Sequence, residues 1–157
     1  MSFISAWLYN DILLPVIRKP APVQTIPETH SNVADSLAKI KASMPGNLMI
    51  YFEFNDAKFK PDPQTDKSVN AIKAWLDKYP ASVLSVTGHS DLVGTPEYNQ
   101  NLGLQRAQNV AKYLESMGIA AGKMVIESKG ETEPVADYLT AEGRSKNRRT
   151  EISIKMQ

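Results

Sequence analysis

The sequence predicts a two-layer α/β (α+β) sandwich: a mixed four-stranded sheet with two main helices on one face, in the order β-α-β-α-β-β. Three observations predict it. Short segments that alternate apolar and polar residues, the mark of a half-buried strand, are interleaved with two longer segments of helical period. Each long segment opens on a capping side chain followed by proline. Each also carries a single apolar stripe, so each has one face to bury and both fit on the same side of a sheet. Strand–helix–strand crossovers usually join parallel neighbours, so parallel pairing is expected across both helices.

The elements follow in order. Residues 32–43 form a short helix, with Asn32 as cap and Val33, Leu37 and Ile40 on one face; Pro45-Gly46 ends it. NLMIYFEF (47–54) is a strand with Leu48, Ile50, Phe52 and Phe54 on one side. Asp62 caps a helix with Pro63 at its first position, which runs to about Tyr79 behind a stripe of Val69, Ile72, Trp75, Leu76 and Tyr79. SVLSVTGHS (82–90) is the second strand. Thr95-Pro96-Glu97 repeats the helix start, with an acid at the positive end of the helix dipole. That helix runs to Met117, burying Tyr98, Leu102, Ala107, Val110, Ala111 and Leu114, and Gly118 fits the left-handed position that closes it. KMVIESKG (123–130) is the third strand, 136–147 a loop with one helical turn, and RRTEISIK (148–155) the fourth strand, with Ile152 and Ile154 on one side.

The 157 residues suit one domain with appendages. Three segments are expected: an apolar segment at 1–18, a proline-rich linker plus short helix at 19–45, and a folded domain at 46–157. The linker rests on Pro20, Pro22 and Pro27. In the first segment Asn10, Asp11 and Pro15 interrupt the apolar run, which therefore has neither the roughly 20 apolar residues of a membrane span nor the plan of a signal peptide. It is a candidate docking segment for a partner protein, through residues 1–45, or an interfacial membrane anchor carrying Trp7, Tyr9 and the trailing Arg18-Lys19.

Eighteen Lys+Arg against 17 Asp+Glu leave a net charge of only +1, which argues against a nucleic-acid binder. The absence of cysteine removes disulfides, thiolate catalysis, cysteine metal sites and a lipid-modified N-terminal Cys. The two histidines, His30 and His89, make no metal-ligand pair, so no metal and no cofactor are expected. His89, Ser90 and Asp91 are sequence neighbours, and neighbours on an extended segment point to opposite faces, so they do not form a catalytic relay.

What remains is a pair of charges in GHSDLVGTPEYNQNLGLQRA (88–107). Asp91 lies in a loop dense in Gly88, Ser90, Gly94 and Thr95; Arg106 lies in the following helix with small neighbours, Gly103 and Ala107. By local physics Asp91 caps a turn and Arg106 is a surface residue, or both line a site whose loop amides a ligand can approach.

The stretch GHSDLVGTPEYNQNLGLQRAQNVAKYL resembles the core motif of OmpA-like peptidoglycan-binding domains, whose pattern is roughly G-H/N-T-D-x-x-G-x-x-x-Y/L-N-x-x-L-S/G-x-x-R-A-x-x-V. YFEFNDAKFKPD (51–62) looks like the family's first strand and turn, GIAAGKMVIESKGETEPVAD (118–137) like its third strand and following turn, and SKNRRTEISI (145–154) like its closing strand. The resemblance covers about residues 47–155, and GTPEYN is closest to the peptidoglycan-associated lipoprotein branch. It implies an OmpA-like fold and non-catalytic binding of peptidoglycan in the periplasm, tethering an envelope protein to the cell wall. The implied ligand is the meso-diaminopimelate of the stem peptide, whose free end carries an ammonium and a carboxylate on one carbon. Asp91 would accept from the ammonium and Arg106 would donate to the carboxylate. Asn55, Asn99, Asn147 and Arg148 match further polar positions, as ligand contacts or as structural hydrogen bonds. Phe54 is read as core, and His89 as a residue that orients the loop. Ser90 stands where Thr is commoner, Gly103 where many members have Ser, and the lipobox Cys is missing. A different class of function is a structural module of a secretion or motility machine, in which the N-terminal segment docks onto a partner.

Overall fold

The computed structural model describes residues 29–156, with side chains from residue 33 on; the segment 1–18 and most of the linker lie outside the described residues. The first described helix, α1, spans Thr29–Ala42, and its Val33 and Leu37 are exposed. From Ile40 the chain forms one compact unit. It contains β1 (Leu48–Tyr51), α2 (Pro63–Lys78), β2 (Val83–His89), α3 (Pro96–Ser116), β3 (Met124–Gly130), α4 (Ala141–Asn147) and β4 (Arg149–Lys155), with a 3-10 turn before β3.

The strand order is β1-β4-β2-β3. β2 and β3 pair in parallel across α3, as expected. β1 and β2 are not neighbours: β4 enters between them, antiparallel to both, with Leu48 opposite Ile152 and Val86 opposite Ile152 on its other side. The last strand to be made thus occupies the centre, where Ile152 and Ile154 are buried on one face.

That face is the core. Ile50, Leu84, Val86, Ile152 and Ile154 meet Val69, Ile72, Trp75 and Leu76 from α2 and Ala107, Val110 and Leu114 from α3 in one cluster. Both helices therefore cover the same side. The alternate strand positions, such as Ser85, Thr87, Glu127 and Glu151, are half-buried and polar, and Met49, Tyr51 and Val125 are exposed.

The helix starts form as the sequence requires. The Asp62 carboxylate accepts from the Thr65 N–H at 2.6 Å, and the Thr95 hydroxyl accepts from the Tyr98 N–H at 3.2 Å. Gly118 closes α3 at φ +89°, and the N–H of buried Ile119 returns to the Leu114 carbonyl at 3.1 Å.

Three expectations fail locally. β1 ends at Tyr51: the Phe52 N–H still donates to the Arg148 carbonyl at 2.9 Å, in register with the β1–β4 ladder, and the chain then turns through Asn55 at φ +53°. Phe52 is buried, but Phe54 is 59% exposed and is not core. On α3, Tyr98 is exposed and Leu102 half-buried; Asn99, Gly103 and Arg106 take the buried positions. The segment read as loop with one turn is the seven-residue α4, capped by the Thr140 hydroxyl on the Gly143 N–H at 2.9 Å.

No helix of the described residues is long and apolar enough to cross a membrane.

Candidate functional site

The candidate site lies at one end of the sheet, where β1 and β2 finish and β4 begins. Open α/β sheets commonly bind ligands at the carboxyl ends of their strands. The loop after β2 starts from a tight junction: the Ser90 N–H donates to the Gly130 carbonyl at 2.8 Å, next to a register shift between Gly88 and His89.

Below that junction α3 presses on β2. A Cβ on Gly88 would lie 1.8 Å from the Gly103 carbonyl oxygen, and one on Gly103 would lie 2.4 Å from the Ser128 hydroxyl. Only glycine at both positions permits this approach. It brings the next turn of α3, with Arg106, against the end of β2.

Arg106 has 0% exposure. Its Nε donates to the Asp56 carbonyl at 2.8 Å, Nη1 to the His89 carbonyl at 2.9 Å and Nη2 to the Glu53 carbonyl at 3.2 Å, and the guanidinium lies 5.1 Å from the centre of the Phe52 ring. One side chain therefore ties the turn after β1 to the end of β2. Burial lowers its pKa to about 10, opposed chiefly by the charge of Asp91, so it remains cationic at neutral pH. A guanidinium has five N–H donors, and the backbone takes three of these.

Asp91 is 4% exposed. Its Oδ1 accepts from the Val93 N–H at 3.1 Å, closing the loop, and its Oδ2 accepts from Arg148 Nη1 at 3.1 Å. Arg148 also donates through Nε to the Phe52 carbonyl at 3.1 Å. Asp91 and Arg148 thus form a largely buried ion pair at the start of β4, with Arg106 behind it. Next to the pair opens a groove of about 490 Å³, lined by Phe54, Leu92, Val93, Tyr138, Arg144 and Arg148. A larger cavity of about 590 Å³, between Met49 and Asp62, includes none of Asp91, Arg106 and Arg148.

The other polar candidates are spread around this centre. Asn55 accepts from the Tyr98 hydroxyl, bracing the turn after β1 on the start of α3. Asn99 is fully buried and donates to the Glu131 carboxylate, while its Oδ1 finds no donor among the described residues. Asn147 makes three structural hydrogen bonds: Oδ1 accepts from the N–H groups of Val135 (2.8 Å) and Ala136 (3.0 Å), and Nδ2 donates to the Ala136 carbonyl at 2.9 Å. His89 is 2% exposed with both ring nitrogens unpartnered among the described residues; burial, then the charge of Arg149, lowers its pKa. Its carbonyl, rather than its ring, serves the site by receiving Arg106.

Sequence reasoning missed the groove: Phe54 and Tyr138 as its aromatic walls, and Arg144 beside Arg148. The four-residue spacing of those two arginines in GRSKNRR was the available signal, since it places them on the same side of a helix. No group of His, Cys, Asp or Glu among the described residues is suited to hold a metal ion.

The profile of the OmpA family matches residues 51–148. Outer membrane porin F of Pseudomonas fluorescens is 36% identical over 110 residues, which is 70% of this chain and 33% of that protein, so the chain spans about a third of that relative's length. Among solved structures, the peptidoglycan-associated lipoprotein from Burkholderia pseudomallei is similar with a TM-score of 0.62 and 27% identity, covering 68% of this chain and 89% of that one. The cell wall anchor of the T6SS from Pseudomonas aeruginosa is similar with a TM-score of 0.54 and 32% identity, covering 79% of this chain and 96% of that one.

Proposed function

This chain belongs to the OmpA family, matched over residues 51–148, and we propose that it binds peptidoglycan without catalysing a reaction on it and so ties an envelope protein to the cell wall. The ligand group is the zwitterionic end of the meso-diaminopimelate in the stem peptide. The observation that carries this reading is the Asp91–Arg148 ion pair at the edge of an apolar-walled groove, with Arg106 buried behind it. Asp91 accepts from the ligand ammonium in place of Arg148. Arg148, released toward the groove, and the two N–H groups of Arg106 that the backbone does not use receive the ligand carboxylate. For Arg106 this contact requires the turn holding Glu53 and Asp56 to shift, since its side chain has no exposed surface. Asn55 and Asn99 support the turn and the loop around the ligand. A lysine side chain lacks the carboxylate and leaves the guanidinium side unmatched, so it is rejected.

Pull-down on purified sacculi tests the reading. The protein is expected to sediment with diaminopimelate-type sacculi and to be released by free meso-diaminopimelate but not by Nα-acetyl-lysine amide, which presents an ammonium without the carboxylate. Failure to sediment, or equal release by both, contradicts it.

The similarity to the cell wall anchor of a T6SS favours a second reading that is compatible with the first. In it, the domain belongs to a secretion or motility machine, and residues 1–45 dock onto a partner or the membrane. Deleting residues 1–30 is then expected to abolish partner capture while wall pull-down survives; retained capture counts against it.

A further inference from the structure

Arg148 is not the only guanidinium on the groove. Arg144 lines it too, four residues earlier, in the last turn of α4. Its Nη1 donates to the carbonyls of Tyr138 at 3.1 Å and Leu139 at 3.0 Å, which fixes the side chain against the preceding loop. Its Nε and both Nη2 hydrogens meet no acceptor among the described residues.

No carboxylate among the described residues lines the groove. The acids near it are committed elsewhere. Asp91 is held by Arg148 and the Val93 N–H, Asp137 accepts from the Leu139 N–H at 2.9 Å, and Glu142 pairs with Lys146 at 2.7 Å. Arg148 faces the Asp91 carboxylate, whereas Arg144 faces no carboxylate among the described residues, with Phe54, Leu92, Val93 and Tyr138 around them. A lone diaminopimelate end, with its ammonium on Asp91 and its carboxylate on Arg148 and Arg106, leaves Arg144 unmatched.

We propose that Arg144 is a second anchor for the stem peptide and binds the α-carboxylate of the γ-linked glutamyl residue that precedes diaminopimelate. This rests on the peptidoglycan reading above. A γ-linkage leaves that α-carboxylate free, so the peptide presents a second anion a short way along the chain from the zwitterion. The planar fork of Arg144, already held by two carbonyls, is preorganised to receive it. The methylenes of the glutamyl and diaminopimelate side chains lie against the apolar walls. Arg144 thereby reads whether the glutamyl α-carboxyl is free or amidated.

The test is calorimetry of the full chain with the tripeptide L-Ala-γ-D-Glu-meso-diaminopimelate and with the same peptide amidated at the glutamyl α-carboxyl. The protein is expected to bind the free acid about three- to tenfold more tightly than the amide. Arg144→Gln is expected to bind both peptides alike and to keep its affinity for free meso-diaminopimelate, which shows that the fold and the first site survive. Arg144→Lys is expected to keep part of the preference through its charge. Equal affinities in the unaltered protein overturn this proposal alone when free meso-diaminopimelate still binds. Persistence of the preference in Arg144→Gln overturns it as well, and so does loss of meso-diaminopimelate binding in that variant. Absence of binding to both peptides and to meso-diaminopimelate overturns the peptidoglycan reading together with it.

Discussion

The Asp91 carboxylate is met at 3.1 Å by Arg148, a guanidinium 57 residues further along the chain, and not by Arg106, fifteen residues on. Arg106 instead holds three backbone carbonyls. The two arginines thus divide the work: one shapes the walls of the site and the other keeps its carboxylate paired at the groove.

Removing the first should cost mainly stability. Arg106→Met leaves the carbonyls of Glu53, Asp56 and His89 without their donors inside the protein. A loss of about 3–5 kcal/mol is expected from urea unfolding. Arg106→Lys keeps the charge but not the fork, and should recover only part of the loss.

Asn147 separates structure from binding. Its three hydrogen bonds all go to Val135 and Ala136, so Asn147→Ala should destabilise the fold by about 1–3 kcal/mol. Affinity for meso-diaminopimelate, measured where the variant remains folded, should stay within about twofold of the original. A large affinity loss would instead make Asn147 a ligand contact.

The glycine contact is also testable. Gly88→Ala forces a Cβ to within 1.8 Å of the Gly103 carbonyl, backbone against backbone, whereas Gly103→Ala first meets the Ser128 hydroxyl, which can rotate. Both should lower the urea midpoint, Gly88→Ala the more, by about 1–3 kcal/mol or above. A Gly88→Ala variant as stable as the unaltered protein would contradict the tight α3–β2 approach.

Stability should depend on pH through His89. Its ring is buried without hydrogen-bond partners among the described residues, and burial holds its folded pKa below the ordinary 6.5. The unfolded chain therefore binds a proton at a pH where the folded protein does not. Stability is fully present above about pH 6.5 and falls as the pH drops from there toward the folded pKa. Unfolding in urea between about pH 5 and 7.5 should show this slope, and His89→Gln should flatten it. A slope unchanged in that variant would assign it to other groups.

The contrast between Asp62 or Thr95 and Arg106 explains how much was legible in the sequence. Helix caps are local: Asp62-Pro63, Thr95-Pro96 and Gly118 satisfy backbone groups within a few residues, and each lies where the sequence predicted. The apolar stripe of α2 was equally legible. Arg106 was not, because a charge on a helix is buried only when distant segments close over it, and here the cover comes from residues 50 or so positions away. The end of β1 was hidden for the same reason. Alternation continues through Phe54, but after the Phe52 N–H bonds to the Arg148 carbonyl the chain turns at Asn55 and leaves the sheet. The insertion of β4 between β1 and β2 is a long-range choice that no local pattern records. For the site, Asp91 and Arg106 came from a motif, whereas the groove walls at Phe54 and Tyr138 arise only when two remote loops meet.

The most direct test is calorimetric titration of the folded protein with meso-diaminopimelate, in parallel with Asp91→Asn and with Nα-acetyl-lysine amide, which has an ammonium but no carboxylate, as the control ligand. Saturable binding of meso-diaminopimelate, a loss of at least about tenfold in Asp91→Asn, and no measurable binding of Nα-acetyl-lysine amide are the expected results. Binding that is absent in the unaltered protein, or undiminished in Asp91→Asn, would contradict Asp91 as the receptor for the ligand ammonium.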